Sequence, residues 1–166
     1  MFSREEKKDL NTSFFKLFTQ RMSGHKSLGG GGSRWETYRT GVRGIFFRLL
    51  TFPEVGLAID LQFKDEEIRA LFYNQFEEFK TMLNGHMGEE MVYEPRVMLD
   101  SGVPVSRIWV KLEGAYFYDK AQWPAIIDFY EAKLLALDEF WELGGEVIKA
   151  LARKGINRFN TLSLWV

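Results

Sequence analysis

Apolar residues recur along this chain with two periods, one near 3.6 and one of 2, and the switches between them lay out the expected elements. Ser3-Arg-Glu-Glu6 matches a capping box, and the stripe Leu10, Phe14, Leu17 and Phe18 predicts a helix to about Met22. Strict alternation follows. Ile45, Phe47 and Leu49 alternate with Phe46 and Arg48, and Ile59, Leu61 and Phe63 alternate with Asp60, Gln62 and Lys64. With Phe52-Pro53-Glu54 between them, these segments predict a β-hairpin.

Ile68, Leu71, Phe72, Phe76, Phe79 and Leu83 return to helical spacing, so a second helix is expected from Asp65 to Asn84, ended by Gly85 and Gly88. Met91–Met98 and Ser106–Leu112 predict another hairpin around Asp100-Ser101-Gly102. Trp123-Pro124 opens a third helix that is apolar on two sides, through Ile126, Ile127, Tyr130, Leu134, Leu137 and Trp141, and through Phe129, Ala132, Ala136 and Phe140. Such a helix is either deeply buried or shared with a partner. Gly144-Gly145 is expected to break it before a short helix over Glu146–Arg153, and the tail 155–166 ends on the apolar Leu164-Trp165-Val166. The prediction is one α+β domain over residues 1–166, in the order helix, hairpin, helix, hairpin, helix, with a four-stranded antiparallel sheet packed against amphipathic helices.

Composition and charge refine this picture. Fifteen Phe and five Trp among 166 residues promise a ring-rich core that needs no crosslink or metal. The absence of Cys excludes disulfides, thiolate zinc sites and a cysteine nucleophile. Residues 23–34, with the run Gly29-Gly-Gly-Gly-Ser33, have too little apolar surface to offset their ordering entropy, so a flexible loop is expected, and the run also has the composition of an engineered linker unit. A charged N-terminus and no apolar run of about 18 residues predict a cytoplasmic protein without membrane contact. The net charge of −1 gives no global attraction to polyanions.

Four segments resemble a known family: Ser3–Met22, the Tyr-Arg-Thr-Gly-Val-Arg-Gly-Ile-Phe-Phe-Arg-Leu stretch within Trp35–Leu50, the Ile-Asp-Leu-Gln-Phe-Lys-Asp-Glu stretch within Ile59–Leu83, and Ala-Leu-Asp-Glu-Phe-Trp at Ala136–Trp141. Together, over about residues 3 to 145, they are similar to the domain-of-unknown-function 4268 family of bacteria and archaea. The resemblance implies an α+β domain, sometimes found downstream of nuclease-like domains, with no established activity. The tail after Gly155 lies outside it.

Three constellations could carry chemistry. Asp60-x-Gln62-x-Lys64 places three polar groups on one strand face and invites comparison with PD-(D/E)xK nucleases, in which an acidic pair holds a divalent metal. The fit is imperfect. Gln62 stands where a carboxylate should bind metal, and the bland alternative is a solvated face with an Arg48–Asp60 pair. The same sheet face as a whole should carry Arg48, Arg96, Arg107 and Lys111 around Trp109, a set suited to phosphates and bases, to cover by the first helix, to a dimer contact, or simply to water. Third, Trp35, Arg39 and Arg43 flank the glycine run and could clamp an anion, although Trp35 and Tyr38 would more often enter the core while the arginines stay in water. His25 and His86 read as surface histidines, and the adjacent pair Asp138-Glu139 as solvated acids. No cofactor motif or metal-ligand spacing is present. The reading is a non-catalytic binding or interaction module, self-associating through the third helix and tail or contacting another protein, with a nucleic-acid-binding accessory role and a divergent metal nuclease as alternatives.

Overall fold

The structure is a computed structural model that describes residues 1–32 and 34–163, with side chains through Gly155. Helix α1 (Arg4–Met22) starts on the expected capping box: Ser3 Oγ accepts from the Glu6 N–H at 3.1 Å, and the Glu6 carboxylate accepts from the Ser3 N–H at 3.3 Å. Strands β1 (Ile45–Leu50) and β2 (Gly56–Leu61) form the first hairpin, and β3 (Val92–Met98) and β4 (Pro104–Lys111) the second. The two hairpins join through β2 and β4, so the sheet runs β1-β2-β4-β3 and is antiparallel throughout.

Helices α2 (Glu66–Glu78), α3 (Lys80–Met87) and α4 (Trp123–Ser163) complete the α+β fold. Ile45, Phe47, Leu57, Ile59, Leu61, Ile108 and Val110 turn one sheet face into a single core with Phe72 and Phe76 of α2 and Tyr130, Leu134, Leu137 and Trp141 of α4. Helix α1 joins the same core, Phe14 making edge contacts with Phe117, Trp123 and Tyr130. The opposite face of the sheet receives no helix from the described residues.

Three expectations need correction. The predicted helix over 65–84 is two helices that meet at Phe79, whose ψ of 2° interrupts the α spiral. Gly85 lies inside α3, and Gly88, in the left-handed region at φ 74°, ends it. Gly144 and Gly145 do not break α4, which runs unbroken for 41 residues. A Cβ at position 144 would sit 3.0 Å from the Phe140 ring, and one at 145 would sit 3.1 Å from the Trp141 indole. Each glycine thus lets the ring one turn earlier fold back over the helix, and burial of Phe140 and Trp141 offsets the cost of about 1 kcal/mol per helical Gly.

Within the segment expected to be a flexible loop, residues 27–31 are tied to the core. Asp138, on the Leu134–Trp141 stripe of α4, is buried and gathers it: Ser27 Oγ donates at 2.6 Å, the Leu28 N–H at 2.6 Å, the Gly29 N–H at 3.0 Å and the Tyr38 hydroxyl at 2.5 Å. Gly31 closes the turn, its N–H donating to Ser27 Oγ at 2.7 Å, with its backbone against the Tyr38 ring; a Cβ there would lie 2.2 Å from a ring carbon. Within the run that reads as a linker by composition, Gly29 and Gly31 are therefore fitted closely to Tyr38 and Asp138.

Candidate interaction face

On the helix-free side of the sheet, pairing register sets side chains into rows. Phe46, Asp60, Arg107 and Glu94 lie abreast across the four strands, and the next row is Arg48, Ala58, Trp109 and Val92. Alternation therefore places these residues on the face expected from the sequence. Their solvation differs.

Asp60 is wholly buried, although no helix covers it. It lies in a central strand beneath two long side chains that bend over it. Arg48 Nη1 donates to Asp60 Oδ2 at 2.7 Å, and Arg107 grips the carboxylate with both prongs of its fork, Nε to Oδ1 at 2.7 Å and Nη2 to Oδ2 at 2.9 Å. Those hydrogen bonds push the Arg107 pKa up, against burial, which acts to lower it. Arg48 is held twice more: its Nη2 donates to Gln62 Oε1 at 2.7 Å, and its guanidinium stacks 4.5 Å from the centre of the Phe46 ring.

The small residues Gly56 and Ala58 leave a trough in β2, and the Trp109 indole lies across it, 3.2 Å from where a Gly56 Cβ would stand. Trp109 Nε1 donates to Glu94 Oε2 at 2.9 Å. The two central rows therefore hold two cations, Arg48 and Arg107, and two anions, Asp60 and Glu94. At the margins Lys111 sits 3.5 Å from Glu113, and Arg96 sits 3.3 Å from Glu66. The face is balanced in charge, fixed by hydrogen bonds, and open at its edges, where Phe46 and Val92 are 42% and 48% exposed.

The proposed metal triplet does not assemble. Strand β2 ends at Leu61, which leaves Lys64 exposed beyond it, Gln62 is engaged by Arg48, and both Asp60 oxygens are directed at guanidinium groups. Among the described residues no group of three His, Asp or Glu side chains could hold a metal. Trp35 is buried with Tyr38, while Arg39 and Arg43 are exposed, the alternative in which the rings enter the core and the arginines stay in water.

Asp138 is the residue that sequence reasoning misplaced most. Adjacent charges place it among solvated acids, yet it lies four residues after Leu134 and three before Trp141, on a buried stripe, and that spacing is the available signal. Burial, then the hydrogen bond to Asp138, pushes the Tyr38 pKa up. The histidines do have acidic neighbours, His25 lying 3.0 Å from Glu131 and His86 3.8 Å from Glu139. The doubly apolar α4 is largely taken up inside the chain, with Ile126, Tyr130, Leu137 and Phe140 fully buried and Phe129 and Ala136 partly so. The tail Leu164-Trp165-Val166 lies outside the described residues. No helix among those residues is long and apolar enough to cross a membrane.

The model of a family described as a domain of unknown function, DUF4268, matches residues 10–143. No curated protein and no solved structure matches the chain.

Proposed function

Starting from a chain that belongs to the DUF4268 family, we propose that it is a non-catalytic interaction module that docks another protein on the helix-free face of its sheet. The observation that carries this reading is the balanced and rigid character of that face. A ring-and-arginine surface held flat by internal hydrogen bonds offers area without an ordering cost, and Trp and Arg are the side chains that dominate protein–protein contacts.

Polyanion binding asks for something else. Phosphates need uncompensated cations, and here Arg48 and Arg107 already donate to Asp60 while Lys111 and Arg96 have acids beside them. A metal-dependent nuclease would need Asp60 to exchange both guanidinium partners for a cation, and among the described residues no group of three His, Asp or Glu side chains could hold one.

A photo-crosslinking amino acid at Val92 or Lys111, on the face but away from β1, should give discrete higher-mass adducts in cells. The same group at the exposed Glu142 of α4 should give none. Adducts of equal yield at all three positions, or only at Glu142, would remove the reading.

A further inference from the structure

One edge of the sheet is left open, and its pattern of free groups is self-complementary. The Gln62 N–H donates to the Gly44 carbonyl at 2.7 Å, so in the alternating antiparallel ladder the even-numbered residues of β1 bond to β2 and the odd-numbered ones turn outward. The first outward residue is closed by its own loop. The Ile45 N–H donates to the Val42 carbonyl at 3.1 Å, and the Ile45 carbonyl accepts from Thr40 Oγ1 at 2.8 Å.

The next two outward residues, Phe47 and Leu49, find no backbone or side-chain partner for N–H or C=O among the described residues. The other edge of the sheet is not equivalent, because β3 carries Pro95 and a register shift between Glu94 and Val97 that interrupt its ladder.

Alongside the free edge of β1 runs a groove of about 350 Å³, lined by Phe15, Glu36, Phe47, Arg48, Leu49 and Leu50. Its walls are apolar apart from one acid and one base. Glu36 has no ion-pair partner among the described residues.

We propose that this groove is filled by β1 of a second copy of the chain, running antiparallel about a two-fold axis at Arg48, so that two four-stranded sheets become one of eight strands. The register follows from the free groups. With the axis at Arg48, Phe47 of each copy lies opposite Leu49 of the other, and each such pair exchanges two backbone hydrogen bonds, which satisfies all four open groups of each edge. An axis at Phe47 would instead set Leu49 opposite Ile45, whose groups are already taken by its own loop.

Side chains agree with this register. Apolar Phe47 meets Leu49 on the core side, and Phe46 meets Leu50 on the open side. The two Arg48 residues face one another at the axis, but Asp60 and Gln62 draw each guanidinium back over its own sheet. The occupant is identified by hydrogen-bond spacing and by the apolar Phe47 and Leu49 it would lay along the groove. The proposal does not depend on what binds the helix-free face, although the dimer would make that face continuous across both copies.

Light scattering after size exclusion, over a concentration series, tests it. The expected mass rises with concentration to twice 19.4 kDa. Leu49→Pro removes an outward donor without touching the β1–β2 ladder and should leave a monomer. Amide hydrogen exchange keeps the test decisive should Leu49→Pro fail to fold: in the wild type, the Phe47 and Leu49 N–H groups should be protected at high concentration and exposed on dilution. A mass of 19.4 kDa at every concentration, or a dimer in which those two amides exchange as fast as in the monomer, overturns the proposal.

Discussion

Asp60→Ala is expected to lower the unfolding free energy by about 3–5 kcal/mol, the usual cost of removing one partner from a buried ion pair. The direction follows from what remains. Without the carboxylate, Arg107, whose side chain is only 14% exposed, keeps a desolvated charge beside the Arg48 guanidinium, and both lose their main acceptor. Denaturant titration should show a lower midpoint with an unchanged slope. Because the loss comes from stranded cations, Arg107→Met should cost much less in the Asp60→Ala background than in the wild type, and a double-mutant cycle reads that coupling. Additive effects would mean that the three groups do not act together.

Asp138→Ala should destabilise by about 3 kcal/mol, because four donors that converge on one buried carboxylate lose it together. The consequence is local as well as global. The segment from Ser27 to Gly31 is tied to α4 mainly through that carboxylate, so its amides should gain hydrogen exchange far more than those of β2 or β4. Asp138→Asn, which keeps the volume but has one acceptor oxygen, should fall between Ala and the wild type. If the loop amides of Asp138→Ala exchange no faster than the wild type, the segment is held by something else.

These two acids also mark where sequence reasoning stopped short. Helices and hairpins were legible because Phe, Leu and Ile recur at spacings of 2 or 3 to 4, and that spacing depends only on backbone geometry. Period-two alternation assigned Asp60 to the correct face, but it cannot say that Arg48 and Arg107, distant in sequence, will fold over that position and remove it from water. Asp138 was misread because its charge outweighed its place on an apolar stripe; the donors that justify its burial come from residues 27–38.

The glycines failed for the opposite reason. A composition rule treats Gly as a breaker or a flexible element, whereas at Gly31 a neighbouring ring occupies the space a Cβ would need, and at Gly144 and Gly145 a ring crowds it. Close approach of this kind is a tertiary fact, invisible until the partner ring is placed. The candidate site was thus legible as a set of residues and a face, but not as a charge-neutral network, and it is the neutrality that weighs against the polyanion alternative and for a protein partner.

The Asp60–Arg107 pair should stay intact when nucleic acid or divalent metal is present. The Arg107 Nε–H resonance reports it. The expected result is a distinct, slowly exchanging signal in the free protein that does not move when a single-stranded oligonucleotide or Mg²⁺ is added at low salt. Disappearance or displacement of that signal on either addition, with the same change absent in Asp60→Asn, would show the guanidinium leaving Asp60 for a ligand and would contradict the account.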